Sequence, residues 1–285
     1  MCEPKFYRLT NDLMFHIVMQ ENEIALRGLI AAMLSKPADA ITSVQVLNPI
    51  DFHKKMTGKE IILDVKAEVD AREIVNVEVQ VRKFKYWRDR ALYYAARMLS
   101  GYNPGAEYGA VKPIRQVSIL DYPFDSSVPK FFYNYRLIED DIGEEYSDKF
   151  QLSVLNLRRM DLATEVDRLS NRLLWAKLFR AQSWNALEEL TENSNLAKEV
   201  VETMYEATTD DNMSRWLSDK EILERDRAAQ EAYAREENMI KGMEKGMEIK
   251  NFEFAKNLLV EGFSRDDVRR LTNYPFSDEE LDSLK

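Results

Sequence analysis

Asp64, Glu78 and Gln80 are the residues of this chain whose types and spacing could do chemistry. Asp64 stands in the run IILDVKAEV, Glu78 and Gln80 stand in EIVNVEVQV, and a short polar Asp70-Ala71-Arg72 turn separates the two. Both runs alternate apolar and polar residues, the period of a half-buried strand, so the segment reads as an antiparallel hairpin. Pairing symmetrically about position 71 sets Asp64 opposite Glu78, Ile62 opposite Gln80 and Lys66 opposite Asn76, with Lys66 on the face that carries Asp64. Directly opposed side chains have Cβ atoms about 4.5–5.5 Å apart, so two carboxylates would share one small volume and repel. A hard divalent cation such as Mg²⁺, which takes one or two carboxylates together with water and substrate phosphate, would resolve that conflict.

The charge around the hairpin suits a phosphate-bearing substrate. The net charge of −10 argues at first against nucleic acid, but residues 1–160 hold 22 basic and 22 acidic side chains, and the whole excess of acid lies in 161–285. Directly after the hairpin, Arg82, Lys83, Lys85, Arg88, Arg90, Arg97, Lys112 and Arg115 face only Asp89 and Glu107 in the sequence. A basic stretch beside paired acids reads as steering for the phosphate backbone, with Arg82, Lys83, Lys85, Arg88, Arg90 and Arg97 as its DNA-binding residues. The plain alternative is an exposed hairpin face on which Lys66 and Arg82 neutralise Asp64 and Glu78.

Other elements must position these groups. TNDLMFHIVMQENEIALRGLIAAML opens with a Thr10 or Asn11 cap and reads as one helix broken near Asn22 into two. ITSVQVLNPI, the hairpin, KPIRQVSILDYP, KFFYNYRLIED and KFQLSVLNLRR are rich in β-branched and aromatic residues and read as strands, with a turn at Asn103-Pro104-Gly105. KYWRDRALYYAARMLSGYN, closed by Gly101, reads as a crossover helix. The order is α-β-β-β-α-β-β-β, an α/β fold with a mixed β-sheet flanked by helices. Helices alone are expected after Leu173, in three regions: a core over 1–160, a helical extension over 161–235, and a charged helix with short C-terminal helices over 236–285.

Composition excludes several classes. No run approaches 18 apolar residues, MCEPKFYRLT does not read as a signal peptide, and Cys2 is the single cysteine, so a cytoplasmic protein with no membrane partner is expected. His16 lies in an apolar helix and His53 in a polar loop, with no second ligand at metal spacing; both read as structural. Asp266, Asp267, Asp278, Glu279, Glu280 and Asp282 make the C-terminal helices poor readers of DNA. The charged helix before them, with Arg225, Arg227, Arg235, Glu231, Glu236 and Glu237, suits a homo-oligomer instead.

In this order TNDLMF, the LDV…EVQ pair, RALYYAARM and GMEKGME…AKNLLVEGFS…LTNYPFSDEEL resemble the recombination-promoting nuclease and transposase family, a branch of the PD-(D/E)XK nucleases. The resemblance implies a restriction-endonuclease-like fold and Mg²⁺-dependent hydrolysis of DNA phosphodiesters, with Mn²⁺ as a possible substitute. It assigns Asp64 and Glu78 as metal ligands, adds Asp12 as a further acid near the metal, and gives Arg90 and Tyr94 supporting places. The superfamily's E-x-K lysine is replaced here by Gln80, which can hydrogen-bond a water but cannot take its proton or supply positive charge. Lys66, on the same strand face as Asp64, is the candidate to replace that charge. The competing reading keeps the fold as a catalytically weak or inactive DNA- or protein-binding module.

Overall fold

A computed structural model describes residues 4–51, 64–100 and 107–284. Cys2, His53, Ile62, Gly101 and the turn at 103–105 lie outside the described residues. The chain divides into two units, Met1–Lys220 and Glu221–Lys285.

Asn11 caps the first helix, its side chain accepting from the amides of Leu13 and Met14, and α1 runs over Asp12–Glu21. Asn22 breaks the helix as expected and caps α2, Glu23–Leu34, by accepting from the Ala25 amide. Strands β1 (Val44–Val46), β2 (Val65–Val69) and β3 (Glu73–Gln80) follow, then α3 (Trp87–Ser100), β4 (Ile114–Leu120), β5 (Phe132–Ile138) and β6 (Glu145–Asn156). The six strands form one mixed sheet in the order β1-β2-β3-β4-β6-β5. β3, β4 and β6 are mutually parallel through their shared neighbour β4, and the remaining pairs are antiparallel. The helix α3 lies in the connection between parallel strands β3 and β4, as a parallel pair requires.

The hairpin register is the one its sequence dictates. Lys66 pairs with Asn76, Val65 with Val77 and Val69 with Glu73, all symmetric about position 71. Asp70 and Ala71 both take the left-handed conformation, at φ 51° and 56°, and the Arg72 amide donates to the Val69 carbonyl at 2.9 Å. Two consecutive positive-φ residues make the tight hairpin turn whose twist suits antiparallel strands. The Asp70 carboxylate fixes it from outside, accepting from the Thr42 and Ser43 amides and the Thr42 hydroxyl at 2.7–2.8 Å.

The two faces of the sheet differ in kind. Val65, Ala67, Val69, Val75, Val77, Val117, Ile119 and Leu155 join the core built with α1, α2 and the later helices. The alternate positions of the same strands include buried Asn76, Glu78, Gln116 and Ser118. Beyond them, Leu120 and Val154 pack with Trp87 and Ala91 of α3 and with Tyr133. The polar stripe therefore sits on the α3 face, and the large apolar core on the other. β5 departs from a clean alternation: Tyr133 is buried, but Tyr135, Leu137 and Ile138 are exposed, because the strand is the sheet edge and its pairing is irregular after Arg136.

Helices follow β6: α4 (Glu165–Leu169), α5 (Arg172–Arg180), α6 (Trp184–Thr191), α7 (Asn195–Thr209) and α8 (Asp211–Val260). The second unit closes with α9 (Arg265–Thr272) and α10 (Asp278–Ser283), capped by Ser264 and Ser277 as their sequences dictate. It has its own small core of Ala255, Leu258, Val268, Phe276 and Leu281. Acids of its last two helices are paired inside the unit: Arg269 and Arg265 pair with Asp278, Arg265 pairs with Asp282, and Arg270 pairs with Asp267. No helix among the described residues is long and apolar enough to cross a membrane.

Candidate active site

Asp64 immediately precedes β2, and Glu78 lies two residues before the end of β3. Asn48 ties this end of the hairpin to the segment after β1, its amide donating to the Asp64 carbonyl at 2.5 Å and accepting from the Lys66 amide at 2.9 Å. Glu78 is 1% exposed, and the guanidinium of Arg90 on α3 donates to its Oε1. Gln80 donates its side-chain amide to that same oxygen. The other oxygen, Oε2, is buried and has no hydrogen-bond partner among the described residues.

The electrostatics mark these acids as under-neutralised. Burial, and then the charge of Glu78, push the Asp64 carboxyl up to about 7; Arg90 and a hydrogen bond with Asn76 offset part of this, and Asp12 adds a smaller push. Burial also raises Glu78, with Arg90 compensating incompletely. A buried anion with a free oxygen beside a second carboxyl is costly, and a hard cation relieves both the desolvation and the repulsion. The donor set therefore fits a divalent metal held by two carboxylates and water. Among the described residues no group of three or more His, Cys, Asp or Glu side chains could hold an ion.

Further polar groups line the same face. The Asn76 amide donates to Gln116 Oε1 at 3.0 Å, leaving Gln116 Nε2 without a partner among the described residues. Tyr122, just past β4, keeps a neutral phenol, because burial and then the charge of Glu78 push it up to about 12, and its hydroxyl is likewise unpartnered. A neutral donor beside an anionic site can bind a phosphoryl oxygen.

Asp64, Glu78, Gln80 and Arg90 thus come together. Asp12 lies close enough to act on Asp64 electrostatically, and its Oδ2 accepts from Lys220 at 3.0 Å. Lys66 shares the Asp64 face, with the side chain part-exposed. The basic residues disperse. Lys83 pairs with Asp125 at 2.7 Å, and Arg88 donates to the Asp125 carbonyl and lies over the Phe124 ring. Lys85 lies over Tyr86, and Arg82 and, on α3, Arg97 are exposed. Arg90, read from sequence chiefly as a DNA contact, is the cation on Glu78, and its guanidinium also faces the Tyr94 ring at 5.9 Å. His16 is buried, and burial pushes its imidazole down to about 4, so it is neutral at pH 7.

Asn76, Gln116 and Tyr122 went unmarked in the sequence. The signal for the first was available: Asn76 sits two residues before Glu78 on the same strand face, where β-propensity disfavours asparagine.

A family model described as PD-(D/E)XK nuclease family transposase matches residues 9–234. No curated protein and no solved structure matches the chain. The matched span includes the whole sheet, the hairpin acids and α3, and the mixed six-stranded sheet flanked by helices agrees with the nuclease fold. The chain belongs to the PD-(D/E)XK nuclease family transposases.

Proposed function

We propose that the chain is a Mg²⁺-dependent DNA endonuclease of the recombination-promoting type, acting in the cytoplasm and hydrolysing phosphodiester bonds at the Asp64–Glu78 site. The observation that carries this reading is the buried, unpartnered Oε2 of Glu78 beside a carboxyl raised to about 7. Asp64 and Glu78 would hold Mg²⁺ or Mn²⁺, while Asp12, whose Oδ2 accepts from Lys220, does not join them in a three-acid set and acts on Asp64 through its charge. Such an ion, when bound, supplies a water of lowered pKa and stabilises charge on the phosphoryl group.

The chain's own residues do the positioning. Arg90 and Gln80 both hold Glu78 Oε1, which fixes the carboxylate and leaves Oε2 for the ion. Gln80 keeps its carbonyl oxygen to orient the attacking water. The Tyr122 hydroxyl donates to the phosphoryl oxygen. Lys66 supplies positive charge in place of the absent E-x-K lysine, and the exposed Arg82, Lys85 and Arg97 meet neighbouring phosphates along with Lys83 and Arg88. The second unit serves self-association through α8, where Met239, Ile240, Met243 and Met247 are exposed at helical spacing. Light scattering should then give a mass above one chain, and a monomer at micromolar concentration would refute it.

Cleavage of supercoiled plasmid with Mg²⁺ or Mn²⁺ tests the central claim, beside Asp64→Ala and a chelator control. Nicking lost in both controls is expected. A second reading, a nuclease fold kept as a DNA- or protein-binding module, draws on Gln80 replacing lysine and on Lys220 occupying Asp12. No nicking together with no thermal response to metal would select it. Full activity in Lys66→Ala would remove Lys66 from the mechanism.

A further inference from the structure

Asp121 directly follows β4, next to the end of the strand that carries Glu78 and Gln80: its amide donates to the Gln80 carbonyl at 2.9 Å. The side chain is 5% exposed and is met by three arginines from three distant segments. Arg8 reaches Oδ2 at 3.1 Å, Arg158 reaches Oδ1 at 3.0 Å, and Arg180 approaches Oδ1 at 3.9 Å. Three guanidiniums around one carboxylate leave a local excess of two positive charges, more than neutralising a buried acid requires. One well-made arginine pair would satisfy the acid, and further cations add repulsion.

The excess is also open to ligand. Arg8, Arg158 and Arg180 keep 37%, 47% and 27% of their side chains exposed. Arg158 donates through Nε to the Asp121 main-chain carbonyl at 3.0 Å and meets the carboxylate only as an ion pair, so its two Nη groups make no hydrogen bond among the described residues. Arg180 makes no side-chain hydrogen bond among them, only the 3.9 Å ion pair. A guanidinium presents five N–H donors in a planar fork that matches phosphate oxygens. Asp121 therefore gathers and orients a set of forks whose outer donors are free.

Their place identifies the occupant. Phosphates recur along each strand of duplex DNA about every 3.4 Å of helix axis, so a substrate with its scissile phosphate at Glu78 carries others across the adjoining strand end. We infer that Arg8, Arg158 and Arg180, held by Asp121, form a backbone-phosphate site for the DNA flanking the cleaved bond, on the β4–β6 side of the catalytic pair. This rests on the nuclease reading and adds to it a contact outside the basic stretch at 82–97.

The test is binding of a short labelled DNA duplex to the full chain by fluorescence anisotropy, in EDTA so that nothing is cut, across a series of salt concentrations. For the double variant Arg158→Gln/Arg180→Gln, affinity at about 0.1 M salt should fall at least about tenfold, and the slope of log K against log salt should become shallower by about 1.8. Arg158→Lys/Arg180→Lys keeps the charge and should keep the wild-type slope. An unchanged melting temperature in the glutamine variant excludes loss of fold; if it melts early, the lysine pair decides, because a purely structural clamp would lose binding with lysine as well. Wild-type slope and affinity in the folded glutamine variant would overturn the site and leave the nuclease reading to the plasmid assay. A wild-type chain that binds no duplex would overturn both.

Discussion

Asp167 and Glu78 are buried carboxylates of the first unit that each take an arginine, and they are finished differently. In one, Arg172 donates to Asp167 Oδ1 at 3.0 Å while the Thr164 amide and hydroxyl donate to Oδ2 at 2.8 and 2.6 Å. Burial pushes the Asp167 carboxyl up, but Thr164 and Arg172 together bring it below its ordinary value. Arg172 is itself tied down by the Ser35 hydroxyl and by the Phe132 ring beneath it. In the other, Arg90 and Gln80 crowd onto one oxygen of Glu78, the second oxygen is left bare, and both Glu78 and Asp64 are raised. The first cluster closes a capping box and locks α4 against α5; the second holds unrelieved charge where a cation would relieve it. A complete hydrogen-bond set marks a structural acid, and a deliberately incomplete one marks a site.

The largest contrast should appear in activity. Asp64→Asn and Glu78→Gln should lower plasmid cleavage by at least about 10³-fold, equivalent to about 4 kcal/mol of transition-state stabilisation. Asp167→Ala should leave cleavage per folded molecule unchanged. Equal losses from both clusters would erase the distinction. Stability should run the other way, with Asp167→Ala costing about 3–5 kcal/mol in urea unfolding because it strands Arg172 in the interior. Glu78→Gln removes a poorly solvated charge and should leave metal-free stability equal or higher.

Metal sharpens the comparison further. Mg²⁺ at about 100 times its Kd should add about 2.7 kcal/mol to the wild-type protein and nothing to Asp64→Asn. The response to pH should also separate the two acids. Asp64 in the folded, metal-free protein titrates near 7, above the ordinary carboxyl value, so between about pH 4 and 7 the native state holds a proton that the unfolded chain has released. Stability from this group therefore falls as pH rises through that window, by at most about 1.4 kcal/mol per unit. Asp167 acts oppositely and elsewhere: its contribution is present above its unfolded pKa and is lost only as pH falls through its lowered folded value. His16, at about 4 when folded, loses stability as pH falls below about 6.5, so the Asp64 effect is read as the difference between wild type and Asp64→Asn from pH 8 to 6, where His16 cancels.

Sequence period and turn chemistry reached the hairpin because both are local. Alternation at period 2 and the Asp70-Ala71-Arg72 turn leave one register that buries Val65, Ala67, Val75 and Val77 together, and that register puts Asp64 across from Glu78. The cap at Asn11 and the break at Asn22 were legible for the same reason. Arg90 was legible as a supporting and DNA-binding residue, but its pairing with Glu78 was not, because which turn of α3 lies over Glu78 depends on how the crossover helix packs on the sheet, and no local period records that. Asn76 and Gln116 look like the solvent side of an alternating strand, yet they are buried under the α3 face. The Asp121 cluster was out of reach altogether: residues 8, 121, 158 and 180 meet only when four strand and helix ends converge at one edge.

The smallest predicted effect tests whether the site's geometry is bought with strain at the turn that sets its register. Ala71 holds φ 56°, a conformation that costs an L-residue with a Cβ about 1–2 kcal/mol and costs glycine almost nothing. Glycine also adds freedom to the unfolded chain, which offsets part of that gain. Ala71→Gly should therefore raise stability by about 0.5–1 kcal/mol, seen as a higher urea midpoint at unchanged slope. Cleavage should stay at the wild-type level, because Asp70 still clamps the turn to Thr42 and Ser43 and the pairing of Lys66 with Asn76 is untouched. A stabilised variant with reduced cleavage would mean that the turn transmits strain to the Asp64–Glu78 pair, and would move the line between structural and functional residues out to the hairpin tip.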